Sequence, residues 1–156
     1  MRGTPELPNY RYRGARALVL LHEAELRRCL AVWRQAKALN VALPETTDED
    51  YTSLETLLLH ILRAARGYMV WTCTQLNLPD PDIRPAPAAA DVEREAGGYL
   101  EHVLERWRLP LVDVPEAAFE PEVYHSNWGT PYCIDAMLEH AVMHPVRHRF
   151  QLEELM

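Results

Sequence analysis

Apolar positions recur at three- and four-residue steps through most of the chain, the period of a helix with one buried face. Over residues 13–39 the stripe is Ala15, Leu18, His22, Leu26, Cys29, Trp33 and Ala36, while Glu23, Arg27, Arg34 and Lys37 fall off it. Pro44 bars any continuation. A second helix is predicted from Thr52-Ser53-Leu54-Glu55, where Thr52 and Glu55 have capping-box spacing, to about residue 76, before Asn77-Leu78-Pro79. Its apolar residues, Leu54, Leu57, Leu58, Ile61, Ala65, Tyr68 and Trp71 among them, cover more than one face, so it is expected to be the most buried helix.

Residues 78–90 contain Pro79, Pro81, Pro85 and Pro87 and read as a connector. A third helix fits 91–108, with Val92, Ala96, Tyr99, Leu100, Val103, Leu104 and Trp107 inward; Gly97-Gly98 weakens it by about 1 kcal/mol per glycine. Residues 109–129 lack periodicity, and irregular links of that length often line a site. A fourth helix is predicted to open at Thr130-Pro131, an N-cap followed by an N1 proline. Ile134, Met137, Leu138, Ala141, Met143, Val146, Leu152 and Leu155 form its stripe. Pro145 removes an amide donor within it and predicts a kink. No internal repeat or sustained strand alternation appears, so one all-α domain over 1–156, a four-helix bundle, is the expected architecture.

Composition narrows the function. Sixteen Lys and Arg against 23 Asp and Glu give a formal charge of −7, against a protein that must neutralise nucleic-acid phosphates. No run approaches the ~18 apolar residues of a membrane span. The run from Ala17 to Leu21 is too short for a signal-peptide core, so a cytoplasmic location is the default expectation. Cys29, Cys73 and Cys133 are far apart and form no CxxC pair; they read as reduced core thiols.

The seven histidines carry the chemistry. His140, His144 and His148 stand at i, i+4 and i+8. Two imidazoles four apart on a helix can converge on one metal, but three cannot, because the face advances about 12 Å over eight residues. A third ligand must come from another helix. His60 is the best placed, with Ala64 and Gly67 on its face leaving room beside an ion; His22 is the reserve. Spacing alone leaves another reading open, in which the terminal histidines, flanked by Arg147 and Arg149, solvate a cationic helix end. His22 reads as a hydrogen-bonded core residue, and His102 and His125 as surface or loop residues.

A histidine in mid-helix 2 (Leu59-His60-Ile61) followed by His144-Pro145-Val146-Arg147-His148-Arg149-Phe150-Gln151 resembles the DinB-like (DinB/YfiT) superfamily of four-helix bundles. The segment running from Met137 to His144 resembles that family's last helix. The resemblance implies a three-histidine site for a divalent metal, Ni or Zn, open to a small-molecule substrate, with His60, His144 and His148 as ligands, and it implies a homodimer. Trp33, Tyr68 and Trp71, as more aromatic surface than a small core must bury, point the same way. Two departures stand out. Phe150 occupies a position where the family has glycine, and Pro145 separates the two helix-4 ligands; a kink there would make His140 and His144 the working pair instead.

Three neutral imidazoles leave a fourth position open, the catalytic rather than the structural arrangement of such a metal. The resemblance implies a thiol-dependent S-transferase or hydrolase with a low-molecular-weight thiol as co-substrate; a non-enzymatic metal-binding bundle, active in stress as a homodimer, is the alternative. Arg63 and Arg66, within two turns of His60, are candidates to meet an anionic substrate or are simply solvated. The only ExxH pair, Glu122 with His125, falls in the irregular link, and HExxH, CxxCH, GxGxxG and GxSxG are absent. Those absences argue against di-iron, zincin, haem and nucleotide chemistry, while spacing leaves a Ser-His-Asp enzyme without a GxSxG elbow open.

Overall fold

A computed structural model describes residues 5–120 and 122–156. Four helices, α1 (Arg13–Ala38), α2 (Leu54–Gln75), α3 (Val92–Trp107) and α4 (Ile134–Leu155), make an all-α bundle. The only sheet among the described residues is an antiparallel hairpin of β1 (Tyr124–His125) and β2 (Pro131–Tyr132). The α1–α4 pair packs most extensively, and α2 lies against both α3 and α4. No helix among the described residues is long and apolar enough to cross a membrane.

Most of the predicted stripes form the core, but in α4 Met143 and Leu155 are exposed and Val146 is only partly buried. Ala15, His22, Leu26, Cys29, Trp33 and Ala36 of α1 are all buried, and α3 buries the whole of its predicted inner stripe. Buried indoles tie the helices together: Trp33 Nε1 donates to Leu54 O at 2.6 Å and Trp107 Nε1 to Ala65 O at 2.9 Å. Trp33, Tyr68 and Trp71 are at most 7% exposed within one chain, so they supply no surface that calls for a second copy. Cys29, Cys73 and Cys133 are free, as expected.

Several boundaries differ from the sequence expectation, each for a local reason. The N-cap of α2 is Ser53, whose hydroxyl accepts from Thr56 N at 3.1 Å while Thr56 Oγ1 accepts from Ser53 N at 3.0 Å. Thr52 instead donates to Glu49 O, closing a 3-10 turn over Glu49–Tyr51, and Glu55 pairs with Lys37. The end of α1, in contrast, falls where expected, just after Ala38: Asn40 takes φ 52°, and Val41 N returns to Ala36 O at 3.0 Å. Asn77 ends α2 in the same way, with φ 54° and Leu78 N bonded to Cys73 O. Asparagine tolerates the left-handed region, and an apolar residue follows it onto the core.

Thr130-Pro131 does not open α4. Pro131 lies in the hairpin, and Cys133 is the N-cap, its Sγ accepting from Ala136 N. The hairpin is fastened to α2 by Trp71 Nε1 donating to His125 O at 2.9 Å. Nor does Pro145 break α4, which stays helical from Ile134 through Leu155. The Pro-rich connector lies along α2 and α3: Arg66 Nε donates to Ile83 O at 2.8 Å, and Arg84 N to His102 Nε2 at 2.9 Å. His102 is therefore a half-buried acceptor on α3 rather than a free surface residue, whereas His125 is exposed in β1.

Candidate metal centre

Helix α2 contributes His60 and α4 contributes His144 and His148, one turn apart on the face toward α2. His60 Nε2 lies 3.0 Å from His144 Nε2, which lies 3.3 Å from His148 Nε2. One ligand atom from each of the three falls within 4.8 Å of both others. A tetrahedral ion with bonds of ~2.1 Å sets its ligand nitrogens ~3.4 Å apart, so the cluster fits such an ion. His144 and His148 are 5% and 3% exposed, and the His60 side chain 24%, so the cluster opens on the His60 side.

The surrounding hydrogen bonds fix which nitrogens face the centre. A neutral imidazole has one N–H. His60 Nδ1 is 3.2 Å from Asp50 Oδ2, and His148 Nδ1 is 3.1 Å from Gln151 Oε1; both oxygens accept, placing the proton on Nδ1 and the lone pair on Nε2. Oriented lone pairs backed by acceptors on the far ring nitrogen are the outer-shell arrangement of metal-binding histidines. Burial, the other histidines and Arg147 hold His144 down to about 2. Burial likewise lowers His148 to about 4, with His60 adding to the effect and Gln151 opposing it. Both imidazoles are thus neutral, as ligation requires, across the ordinary pH range.

His140 does not join the cluster. Its ring centroid is 6.5 Å from that of His144, against 4.6 Å for His144–His148, and it packs near Trp128, Tyr132 and Tyr68. Because α4 remains helical through Pro145, the His140/His144 alternative is not realised. His22 is also outside the cluster. It is fully buried and stacked on Trp107 at 3.7 Å and 9°, and neither of its ring nitrogens has a hydrogen-bond partner among the described residues, contrary to the hydrogen-bonded core residue expected. Burial alone lowers its pKa to about 3. Arg66, committed to Ile83 O, is no longer a candidate for substrate binding.

Two clefts border the histidines and share Tyr51 and Arg147. One, of about 470 Å³, is reached past His60 and His144 and is walled by Tyr68, Trp71 and Trp128. The other, of about 630 Å³, lies on the His148 side beneath Leu43, Leu57 and Leu152. The irregular link thus lines the site through Asn127 and Trp128 of the hairpin tip. Ala64 and Gly67 line the first cleft, and a Cβ added to Gly67 meets nothing within 4 Å. Asp50 and Tyr51 were not found from the sequence, and Arg147 entered only as a charged flank and a motif position. Gln151 entered only as a motif position, although its i+3 spacing from His148 is a usable signal. The chain matches no family model, no curated protein and no solved structure.

Proposed function

We propose that this chain is a divalent-metal-dependent enzyme of the DinB-like kind, a thiol-dependent S-transferase or hydrolase in which His60, His144 and His148 hold Ni or Zn. The observation that carries the reading is the convergence of three Nε2 atoms, two with Nδ1 backed by Asp50 and Gln151, beside an open cleft. A divalent ion held by three neutral imidazoles supplies Lewis acidity at its open position, lowering the pKa of a water or thiol there and polarising a carbonyl.

The chain's own groups prepare that position. Asp50 and Gln151 orient two of the rings. The Tyr51 hydroxyl lies 3.5 Å from His60 Nε2. Burial, then Asp48 and Asp50, raise its pKa, so at neutral pH it keeps its proton and donates to a substrate oxygen or sulfur. Tyr68 and Trp128 limit the approach of water from the hairpin side. A co-substrate thiol fits better than a side chain: burial pushes Cys29 to about 12 and Cys73 to about 11, leaving both protonated and inert, and Cys133 caps α4 by accepting from Ala136 N. The family resemblance also implies a homodimer, which light scattering at micromolar concentration tests.

Metal analysis of the purified protein, a set of alanine variants and a thiol screen test the reading. One equivalent of Ni or Zn is expected, lost in His60→Ala and His148→Ala and kept in His140→Ala. Metal-dependent consumption of mycothiol, bacillithiol or glutathione is expected in the screen. Stoichiometric metal without turnover on any thiol would favour the non-enzymatic bundle, and retained metal in His60→Ala would overturn the site.

A further inference from the structure

The α2/α4 cleft carries a charge pattern opposite to that of the chain. The protein bears a formal −7, yet none of the residues lining this cleft is a carboxylate, and Arg63 and Arg147 both border it. Each stands one helical turn from a histidine of the cluster, Arg63 three residues after His60 and Arg147 three after His144. Both side chains are exposed, and neither makes an ion pair or a hydrogen bond among the described residues. Most other arginines of α1, α3 and α4, such as Arg27, Arg106 and Arg149, face acids.

An arginine near a cation site opposes the cation by Coulomb repulsion and contributes nothing to ligation. It favours an anion in the same space, and its planar fork matches a carboxylate or phosphate. Beyond the histidines, Asn127 and the tyrosines, the lining includes two indoles. Trp71 forms one side, and Trp128, half exposed at the hairpin tip, leans over His140 with ring centroids 5.3 Å apart. Gly67 keeps the floor clear.

We infer that this cleft binds a small organic anion, a carboxylate or phosphate ester on a planar apolar body, with the anionic group held by Arg63 and Arg147 and the body laid between Trp71 and Trp128. The inference rests on the metal-site reading only for what happens to that substrate; the binding itself does not require the ion.

Ligand-observed NMR titrations with benzoate, phenyl phosphate, benzamide and benzylammonium, on metal-loaded and on chelator-treated protein, test it. Benzoate or phenyl phosphate is expected to bind at least tenfold more tightly than neutral benzamide in both forms, and the stronger of the two identifies the anionic group. Arg63→Gln and Arg147→Gln should each weaken the anion about tenfold or more, the loss of a charge-assisted hydrogen bond, while metal affinity is unchanged or slightly raised. Gly67→Leu, which improves helix propensity and so does not threaten folding, should abolish probe binding while one equivalent of metal is retained. Equal binding of benzoate and benzamide, binding of neither, a preference for benzylammonium, or anion binding that ignores both arginine changes would overturn the inference. Anion binding lost on chelation yet indifferent to the arginines would do so as well, because the carboxylate would then be meeting the ion. Failure of the metal reading is a separate result, seen as metal retained by His60→Ala.

Discussion

The buried, unpartnered His22 makes a quantitative prediction about acid stability. In the folded chain burial holds this imidazole neutral down to about pH 3, whereas in the unfolded chain it takes up a proton near the ordinary value of ~6.5. Between those values the unfolded state binds more protons, so stability is full above ~6.5 and is lost progressively as the pH falls toward 3. At pH 5 the linkage from this one group comes to about 2 kcal/mol. His22→Leu abolishes the titration and keeps an apolar side chain of similar bulk against Trp107. Urea unfolding of both proteins in chelator at pH 7.5 and pH 5 gives two stability differences. The parent should lose about 2 kcal/mol more than the variant. His144 and His148 also resist protonation, but they do so equally in both chains and cancel in the comparison. Parallel losses, within about 0.5 kcal/mol, would mean that His22 gains a proton partner in the folded state and that its burial is not dry.

The metal site should be unusually tolerant of acid. With His144 and His148 held neutral well below pH 5, at most one ligand has a proton to lose, so affinity measured by competition with a chromophoric chelator should fall no more than about tenfold per pH unit between 6.5 and 5. A steeper slope would show several ligands titrating together. Excess Zn or Ni should raise the thermal midpoint of the parent with the logarithm of concentration, worth about 2.7 kcal/mol at one hundred times Kd, and leave His60→Ala unmoved in differential scanning fluorimetry. Ser53→Ala should cost about 1 kcal/mol in urea unfolding through the lost cap, and Thr52→Ala less than about 0.5 kcal/mol. Gly98→Ala, where an added Cβ meets nothing within 4 Å, should stabilise the chain by about 1 kcal/mol.

The helices were legible because each buries one stripe against the others, and a buried stripe leaves its period in the sequence. Their ends were less so, since adjacent residues compete for the same role. Thr52 and Ser53 are both sound N-caps, and the choice fell to Ser53 because Thr52 closes the preceding turn. Thr130-Pro131 has the composition of a helix start, but its partner is Tyr124-His125, a pairing that no local pattern encodes. The ends of α1 and α2 carry the same short signal, Leu-Asn followed by an apolar residue, and both ends fall within a residue or two of where the periodic pattern stops.

The spacing narrowed the cluster to a pair on the last helix and the mid-helix histidine of the second, beside small residues, and the family resemblance chose His144 and His148 over His140 and His144. Its supporting groups could not be named in advance, because Asp50 and Tyr51 come from a 3-10 turn before α2 that folds back over His60. These same groups explain why the seam between α2 and α4 departs from ordinary packing. Gly67 leaves space there, and three imidazole Nε2 atoms converge, that of His144 lying 3.0 Å from His60 and 3.3 Å from His148, between helices that bury apolar side chains elsewhere along their length. A neutral His144 has a single N–H to offer its two neighbours, and any further proton charges a buried imidazole. A single divalent cation would accept a lone pair from each ring at once and would join α2 to α4 beside the cleft. Local rules fail together at this seam, in the proline between the two α4 histidines, the open glycine, the unpaired arginines and the converging imidazoles, and concentrated rule-breaking of that kind is what a functional site leaves in an otherwise consistent fold.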